Sequence, residues 1–148
     1  MENKIIEAAD RCEHYRLCGY HCSESSIRAI SETLSMDIPE VLLKSSCGFR
    51  GGGGGSGGRC GIVEIGILLI SFIYGRTSPE ESIDGYSYLV RTLIDRFVKE
   101  LGSDKCNVLQ PLSMTNTPDN SCSIVYRKGT MIVSKLLLEA DELLLEIK

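Results

Sequence analysis

The feature that most constrains this chain is a glycine-rich loop that leads directly into an apolar segment. Residues 48–58 are almost all glycine, and the run from Ile62 to Tyr74 is almost all apolar. Glycine has no Cβ atom, so a glycine run can bend sharply and pass close to another backbone or to a ligand. An apolar segment of this length without a polar face is typical of a buried helix. The sequence therefore predicts a loop that enters a central, buried helix over about 61–74.

A cysteine lies where the loop meets this helix. Cys60 follows Arg59 and precedes the apolar run. The positive end of a helix dipole and a neighbouring guanidinium both favour a thiolate and lower a thiol's pKa. We therefore expect Cys60 to be the centre of function. Glu64, one turn into the helix, either accepts a proton near Cys60 or points outward, and we favour the outward orientation.

Length, composition and charge restrict the class of protein. The chain has 148 residues, a net charge of −4 and 43% hydrophobic residues, which predicts one globular domain over residues 1–148. The mild acidity argues against a nucleic-acid binder. Residues 1–11 are charged and lack the apolar core of a secretory signal, and the apolar run is too short to span a bilayer. We expect a cytoplasmic protein without a membrane span.

Helical spacing of apolar residues recurs along the chain, whereas few segments alternate with period two. Asp37 as a cap with Pro39 in the first turn predicts one helix start, and Ser78 with Pro79 predicts another. Residues 105–120 are expected to be irregular. The fold class predicted is all-α, a single-domain bundle of five or six helices around the central one. The predicted helices cover about 2–17, 23–34, 39–46, 61–74, 79–101 and 121–147.

Cysteine is unusually frequent in this chain, at positions 12, 18, 22, 47, 60, 106 and 122. Without a secretory signal, such cysteines more often bind metal or exchange electrons than form a disulfide scaffold. Cys22, Cys60 and Cys122 lie at or near predicted helix starts, where the helix dipole favours thiolates. Converging thiols would suit an iron–sulfur cluster, a zinc ion or dithiol–disulfide exchange. The alternative is that they are inert core residues.

Several short motifs occur in an order that resembles a known family. Cys22-Ser23-Glu24 opens an early helix, Cys60-Gly61 leads the apolar helix, Gly102-Ser103 precedes Cys106, and Cys122 comes just before Ile124-Val125 in the last helix. Over about residues 20–144 the chain resembles the putative redox-active proteins named for the pattern C-GCAxxG-C-C. The resemblance implies four characteristic cysteines, which are Cys22, Cys60, Cys106 and Cys122. Cys12, Cys18 and Cys47 would then be additional.

The resemblance implies a redox function for the four-cysteine site. Either the four thiols bind an iron–sulfur cluster for electron transfer, or Cys60 and Cys22 act in thiol–disulfide exchange. We favour the cluster, because four recurring thiols match its ligand count better than an exchange pair. Zinc, or no metal at all, is the other possibility for the cofactor. The redox partner is unknown.

A second class of function rests on the glycine loop 51–58. A glycine loop at a helix N-terminus, flanked by Arg50 and Arg59, would suit a non-catalytic anion- or nucleotide-binding module. The dinucleotide-binding motif requires a strand before its glycine loop, and no strand is predicted there. The other alternative is a flexible linker. Separately, the leucine-rich segment 136–145 predicts a partner surface and a homodimer.

Overall fold

The computed structural model describes residues 1–110 and 123–148, and these residues form an all-α bundle. Residues 106–110 are also helical, and no residue within the two described ranges belongs to a β-strand. The all-α prediction is therefore confirmed. The helices are α1 (Glu2–Leu17), α2 (Cys22–Thr33), α3 (Glu40–Ser45), a 3₁₀ helix (Ser46–Gly52), α4 (Gly61–Tyr74), α5 (Asp84–Leu101) and α6 (Ser123–Leu145).

Helix α4 lies at the centre of the bundle, as its apolar sequence predicts. It packs against α2, α5 and α6, and the side chains fully buried from solvent include Ile62, Ile65 and Leu69. Two glycines allow close contact between these helices: a Cβ on Gly66 would overlap Leu93 Cδ2 of α5, and a Cβ on Gly129 would lie 3.1 Å from Ile62 Cγ2. The core therefore depends on small residues as well as large ones.

The N-terminal helix α1 packs against α2 and α6. Its inner face buries Ile5, Ala8, Ala9 and Cys12. Salt bridges fix its outer face, since Arg11 pairs with Glu32 of α2 at 3.0 Å. The predicted helix over about 2–17 is confirmed at Glu2–Leu17.

The predicted start of the fifth helix at Ser78 is wrong. Helix α5 begins at Asp84, with Ile83 at the N-cap position. The Glu81 carboxylate instead accepts hydrogen bonds from the backbone N–H groups of Thr77, at 2.8 Å, and Ser78, at 3.0 Å. The acidic side chain therefore closes a turn before the helix, because these N–H groups have an acceptor without helical geometry.

Two other boundaries differ from the predictions. The N-cap of α3 is Pro39 and not Asp37, and no side chain caps this helix. In the segment predicted to be irregular, residues 106–110 are helical, whereas residues 111–120 lie outside the described part of the chain. The last helix is described from Ser123, so the predicted start at residue 121 is not covered.

The leucine-rich end of α6 packs mainly within its own chain. Leu136 is buried, and Leu137, Leu143 and Leu144 pack against the core, while Leu145 is 66% exposed. Most of these leucines are thus covered by their own chain, with no second subunit needed to bury them. The homodimer stays a prediction. Among the described helices, none is both long and apolar enough to cross a membrane.

Candidate functional site

An open pocket of about 650 Å³ lies where α2 and α4 begin. Three of the cysteines singled out from the sequence, Cys22, Cys60 and Cys106, line it. Cys60 is buried, while Cys22 and Cys106 are half-buried. The rest of the described wall is His21, Arg50, Gly51, Gly55, Ser56, Gly57, Gly61, Asn107, Leu109, Gln110, Val125 and Tyr126.

Backbone pairing brings Cys60 and Cys106 to the same pocket. The Cys60 N–H donates to the carbonyl of Asp104 at 2.7 Å, and the Cys106 N–H donates to the carbonyl of Gly58 at 2.7 Å. Between these bonds, Arg59 and Lys105 form an isolated antiparallel bridge. The strand-like contact joins the end of the glycine loop to the segment after α5, a link that no sequence motif predicts.

Gly61 allows Cys22 to approach the start of α4. A Cβ on Gly61 would lie 2.8 Å from Cys22 Sγ and 2.8 Å from the carbonyl oxygen of Phe49. Real Cβ atoms do not come so close, and the contact with the Phe49 backbone could not relax easily. The glycine after Cys60 is therefore needed so that the first residue of α2 can lie beside the first residue of α4.

Burial raises the pKa of all three pocket thiols. At Cys60 the negative charge of an ionised Cys22 also raises the pKa, and the backbone N–H groups of Ile62 and Val63 lower it by a smaller amount. At Cys22 the backbone N–H groups of Gly51, Ser23 and Gly61 also lower the pKa, by less than burial raises it. The expected lowering of the Cys60 pKa is wrong for the metal-free protein, because loss of solvation outweighs the helix N-terminus.

Arg59, expected to stabilise the Cys60 thiolate, is directed elsewhere. Its Nε lies 3.5 Å from Glu64 Oε1 and 3.6 Å from Asp104 Oδ2. These two carboxylates balance the guanidinium, so it contributes little positive charge to the thiols. Glu64 is partly exposed and faces Arg59, in agreement with the preferred outward orientation rather than with a role as proton acceptor.

The glycine loop is an ordered structure held by its own hydrogen bonds. Gly51 to Gly55 and Gly57 all have positive φ angles, which glycine adopts without strain. All six N–H groups from Gly53 to Gly58 donate to loop carbonyls, for example Gly54 to Gly48 at 2.9 Å and Gly58 to Gly52 at 3.1 Å. The loop is not a flexible linker, and these six N–H groups are not available to an anion.

The comparison with protein families agrees with this site. The family described as "Putative redox-active protein (C_GCAxxG_C_C)" matches residues 20–136. The chain belongs to this redox-active family. The match covers α2 through most of α6 and includes the four cysteines that the sequence analysis assigns to the family, whereas α1 precedes it. No curated protein and no solved structure matches the chain.

Of the four cysteines assigned to the family site, the structure places three along the wall of one pocket. Cys122 lies outside the described residues, so its place in the site stays a prediction. Val125 and Tyr126, in the first turn of α6, do line the pocket. The thiols offer soft ligands that suit iron–sulfur clusters or zinc, although among the described residues no three His, Cys, Asp or Glu side chains form a metal-binding group.

The cysteines outside the family set differ in their surroundings. Cys47 and Cys18 are exposed, with Cys18 Sγ 3.7 Å from His14 Nε2. Cys12 is completely buried and packs with Ala29 and Tyr126 in a small hydrophobic group. Cys22 packs against this group. Burial raises the pKa of Cys12 to about 12. Cys12 lies outside the four cysteines that the family resemblance implies, and its contact with the site depends on how α1 packs against α2.

Proposed function

We propose that this member of the redox-active family transfers electrons through an iron–sulfur cluster held by Cys22, Cys60 and Cys106, with Cys122 as the fourth ligand. The observation that carries the proposal is the common pocket of the first three cysteines. They come from separate segments of the chain, and backbone pairing and Gly61 are both needed to bring them together. Inert core cysteines would not require such an arrangement around an open pocket.

The protonation of the pocket thiols favours a metal cluster over a bare dithiol. Burial raises the pKa of each of the three, so in the metal-free protein they are neutral thiols near pH 7. Thiol–disulfide exchange needs a thiolate as the attacking group. Metal binding supplies the positive charge that keeps ligand thiols deprotonated. The pocket is thus better suited to hold thiolates around iron than to activate one thiol.

The backbone around the pocket would also suit a cluster. N–H groups of Ile62 and Val63 act on Cys60, and those of Gly51, Ser23 and Gly61 act on Cys22. Hydrogen bonds to ligand sulfurs shift the reduction potential of an iron–sulfur centre. A bound cluster would supply the one-electron carrier, and these N–H groups would stabilise the negative charge on its ligands. The cysteines that hold the cluster would thus also be those that tune it.

The direct test is metal analysis of anaerobically purified protein. We expect iron, acid-labile sulfide and visible absorption of a cluster, and we expect each of Cys22→Ser, Cys60→Ser, Cys106→Ser and Cys122→Ser to remove all three signals. The matched control is Cys47→Ser, because Cys47 is exposed and lies outside the pocket. Cys12→Ser is not a suitable control, since Cys22 packs against the small group of buried side chains that contains Cys12.

Other results would point to the alternatives. Zinc without sulfide would replace the cluster by a zinc site. A metal-free protein with one disulfide between Cys60 and Cys22 would favour thiol–disulfide exchange. Alkylation of Cys60 only at the rate of unfolding, in a protein that never binds metal, would leave these cysteines as core residues. A cytoplasmic location and an unidentified redox partner complete the proposal.

A further inference from the structure

We infer that the cysteine pocket accepts an anionic small molecule, whose carboxylate or phosphate group pairs with the guanidinium of Arg50. The inference deepens the proposed function by naming a substrate class, and it rests on that function for the role of the thiols. Binding of the anion itself requires only the pocket and Arg50.

The charge of the pocket wall carries the first step. Among the described residues that line the pocket, Arg50 has the only permanently charged side chain, and none is Asp or Glu. No carboxylate in the described residues lies within ion-pair distance of Arg50. An arginine that has no ion-pair partner in residues 1–110 and 123–148, at the wall of a partly closed pocket, attracts anions because the low-dielectric wall concentrates its field.

The two arginines near the pocket differ in this respect. Arg59 lies between the carboxylates of Glu64 and Asp104 and does not line the pocket. Arg50 lines the pocket, and no carboxylate from the described part of the chain pairs with it. Of the two arginines that flank the glycine loop, only Arg50 has its charge available to a ligand.

The glycine loop holds Arg50 in place. The Arg50 carbonyl accepts hydrogen bonds from the N–H groups of Gly53, at 3.0 Å, and Gly55, at 3.1 Å. The Arg50 side chain lies over Gly55: a Cβ built on Gly55 would be 3.5 Å from Arg50 Nη1. A Cβ on Gly52 would overlap the backbone nitrogen of Gly58, so the turn tolerates only glycine there. The loop therefore positions a side chain for the anion instead of offering its own N–H groups.

The pocket has room for a substrate beside the thiols. Its volume of about 650 Å³ lies within the range of small-molecule sites, roughly 300–1,000 Å³. His21, Asn107 and Gln110 add polar groups to the wall, and Leu109 and Val125 add apolar ones. A mixed wall whose described residues include a single arginine and no carboxylate fits a small organic acid or phosphate better than a neutral apolar compound.

The test compares a charged with a neutral alkylating reagent on reduced, metal-free protein. With either iodoacetate or iodoacetamide, the cysteine sulfur forms a bond to the CH₂ carbon, iodide leaves, and the thiol proton goes to solvent. The quantity measured is the ratio of the iodoacetate rate to the iodoacetamide rate at Cys106, read by mass spectrometry, with Cys18, exposed and outside the pocket, as the internal reference. We expect Arg50→Gln to lower this ratio at Cys106 by roughly three- to tenfold and to leave it unchanged at Cys18.

Two variants separate charge from structure. Arg50→Lys keeps the positive charge and should retain most of the ratio. Arg91→Gln removes an exposed arginine of α5 that does not line the pocket, and it should change nothing. If Arg50→Gln fails to fold, salt provides the second measurement on the natural protein. Raising ionic strength from about 0.02 M to about 0.5 M should lower the ratio at Cys106 more than at Cys18.

Protection experiments identify the anion class. Inorganic phosphate or acetate should slow the reaction of Cys106 with iodoacetamide in the natural protein and not in Arg50→Gln, and the more effective ion indicates phosphate or carboxylate. An unchanged ratio in folded Arg50→Gln, an equal loss in Arg91→Gln, or no protection by either ion would overturn the inference. All these results are obtained without iron, so they are independent of whether the protein binds a cluster.

Discussion

Glycine serves opposite purposes at the two ends of the central region of this protein. In the loop before α4, Gly52 has a φ of +80° and Gly58 lies so close that no Cβ would fit between them. Within α4, Gly66 is an ordinary helical residue whose missing Cβ makes room for Leu93 and Val133 of neighbouring helices. The first glycine permits a backbone conformation, and the second permits side-chain packing.

The core and the glycine loop differ in what a substitution would affect. Gly66 lies in the hydrophobic core, so a side chain there would disturb the packing of three helices. The loop is mostly exposed, and it contributes Arg50, Gly51 and Gly57 to the pocket wall. Changes in the core should alter global stability, whereas changes in the loop should alter the pocket first. Substitutions at Gly66 and Gly52 test this separation directly.

The largest effect is expected from Gly66→Val. The added side chain would overlap Leu93 and crowd Val133 in a core without spare space, and overpacking of this kind costs about 3 kcal/mol. Urea denaturation should show that loss in the free energy of unfolding. Gly85→Ala is the matched control, because its Cβ would make only an ordinary contact with Leu144 at 3.4 Å. Gly85→Ala should be neutral or slightly stabilising, and an equal loss in both variants would contradict the packing argument.

Gly52→Ala should act on the loop and the pocket. It combines a left-handed conformation with an overlap on the Gly58 backbone, and we expect a loss of about 2 kcal/mol together with faster alkylation of Cys22 and Cys106. Gly54→Ala separates the two causes, since Gly54 has a φ of +58° and open space around it. That variant should lose only about 1 kcal/mol. Identical behaviour of the two variants would show that the close approach at Gly52 has no consequence.

Alkaline pH should weaken the fold through its buried thiols. Burial raises the pKa of Cys12 from 9.0 to about 12, so between these values the folded chain keeps a proton that the unfolded chain has lost. This contribution is complete below pH 9 and is lost as the pH rises toward 12. In reduced, metal-free protein, Cys12→Ala should make the fall in unfolding free energy shallower by up to about 1.4 kcal/mol per pH unit. Cys47→Ala, at an exposed site, should leave the slope unchanged.

The smallest effect is expected from Arg59→Gln. The guanidinium is 36% exposed and lies 3.5 and 3.6 Å from its two carboxylates, and ion pairs of this kind contribute less than about 1 kcal/mol. Besides burial, the groups that shift the Cys60 pKa are Cys22, Cys106 and two backbone N–H groups of α4, so loss of the Arg59 charge should not change the rate at which Cys60 reacts. Chemical denaturation and alkylation kinetics measure the two effects. A clear fall in Cys60 reactivity would restore the role that the sequence suggested for Arg59.

Much of the fold could be predicted from local sequence. The apolar run over 62–74 predicts α4, and its observed bounds, Gly61–Tyr74, agree. The helix starts were less predictable, because Glu81 satisfies backbone N–H groups in a turn at Ser78 as readily as it would in a helix. Local motifs identify groups that need a hydrogen-bond partner, and they do not decide which geometry supplies it.

The candidate site was predictable in its members and not in its electrostatics. The order of motifs is sufficient to select Cys22, Cys60 and Cys106, which do line one pocket. The direction of the pKa shift at Cys60 was wrong, since sequence shows the helix start and Arg59 but not the burial of the thiol. The importance of Arg50 over Arg59 depends on where Glu64 and Asp104 lie, which only the packed chain reveals.

The sequence by itself determines that the chain is helical, that the segment 62–74 is its buried centre and that it carries the cysteines assigned to the family. Apolar periodicity, glycine content and residue identity can be read from neighbouring residues. The tertiary structure decides which thiols meet, which arginine retains its charge for a ligand, and why Gly61 must lack a side chain. These outcomes depend on contacts between segments far apart in the chain, such as the Cys106 N–H on the Gly58 carbonyl. Solvation and charge at a site are set by all the atoms around it, and most of those atoms come from elsewhere in the sequence.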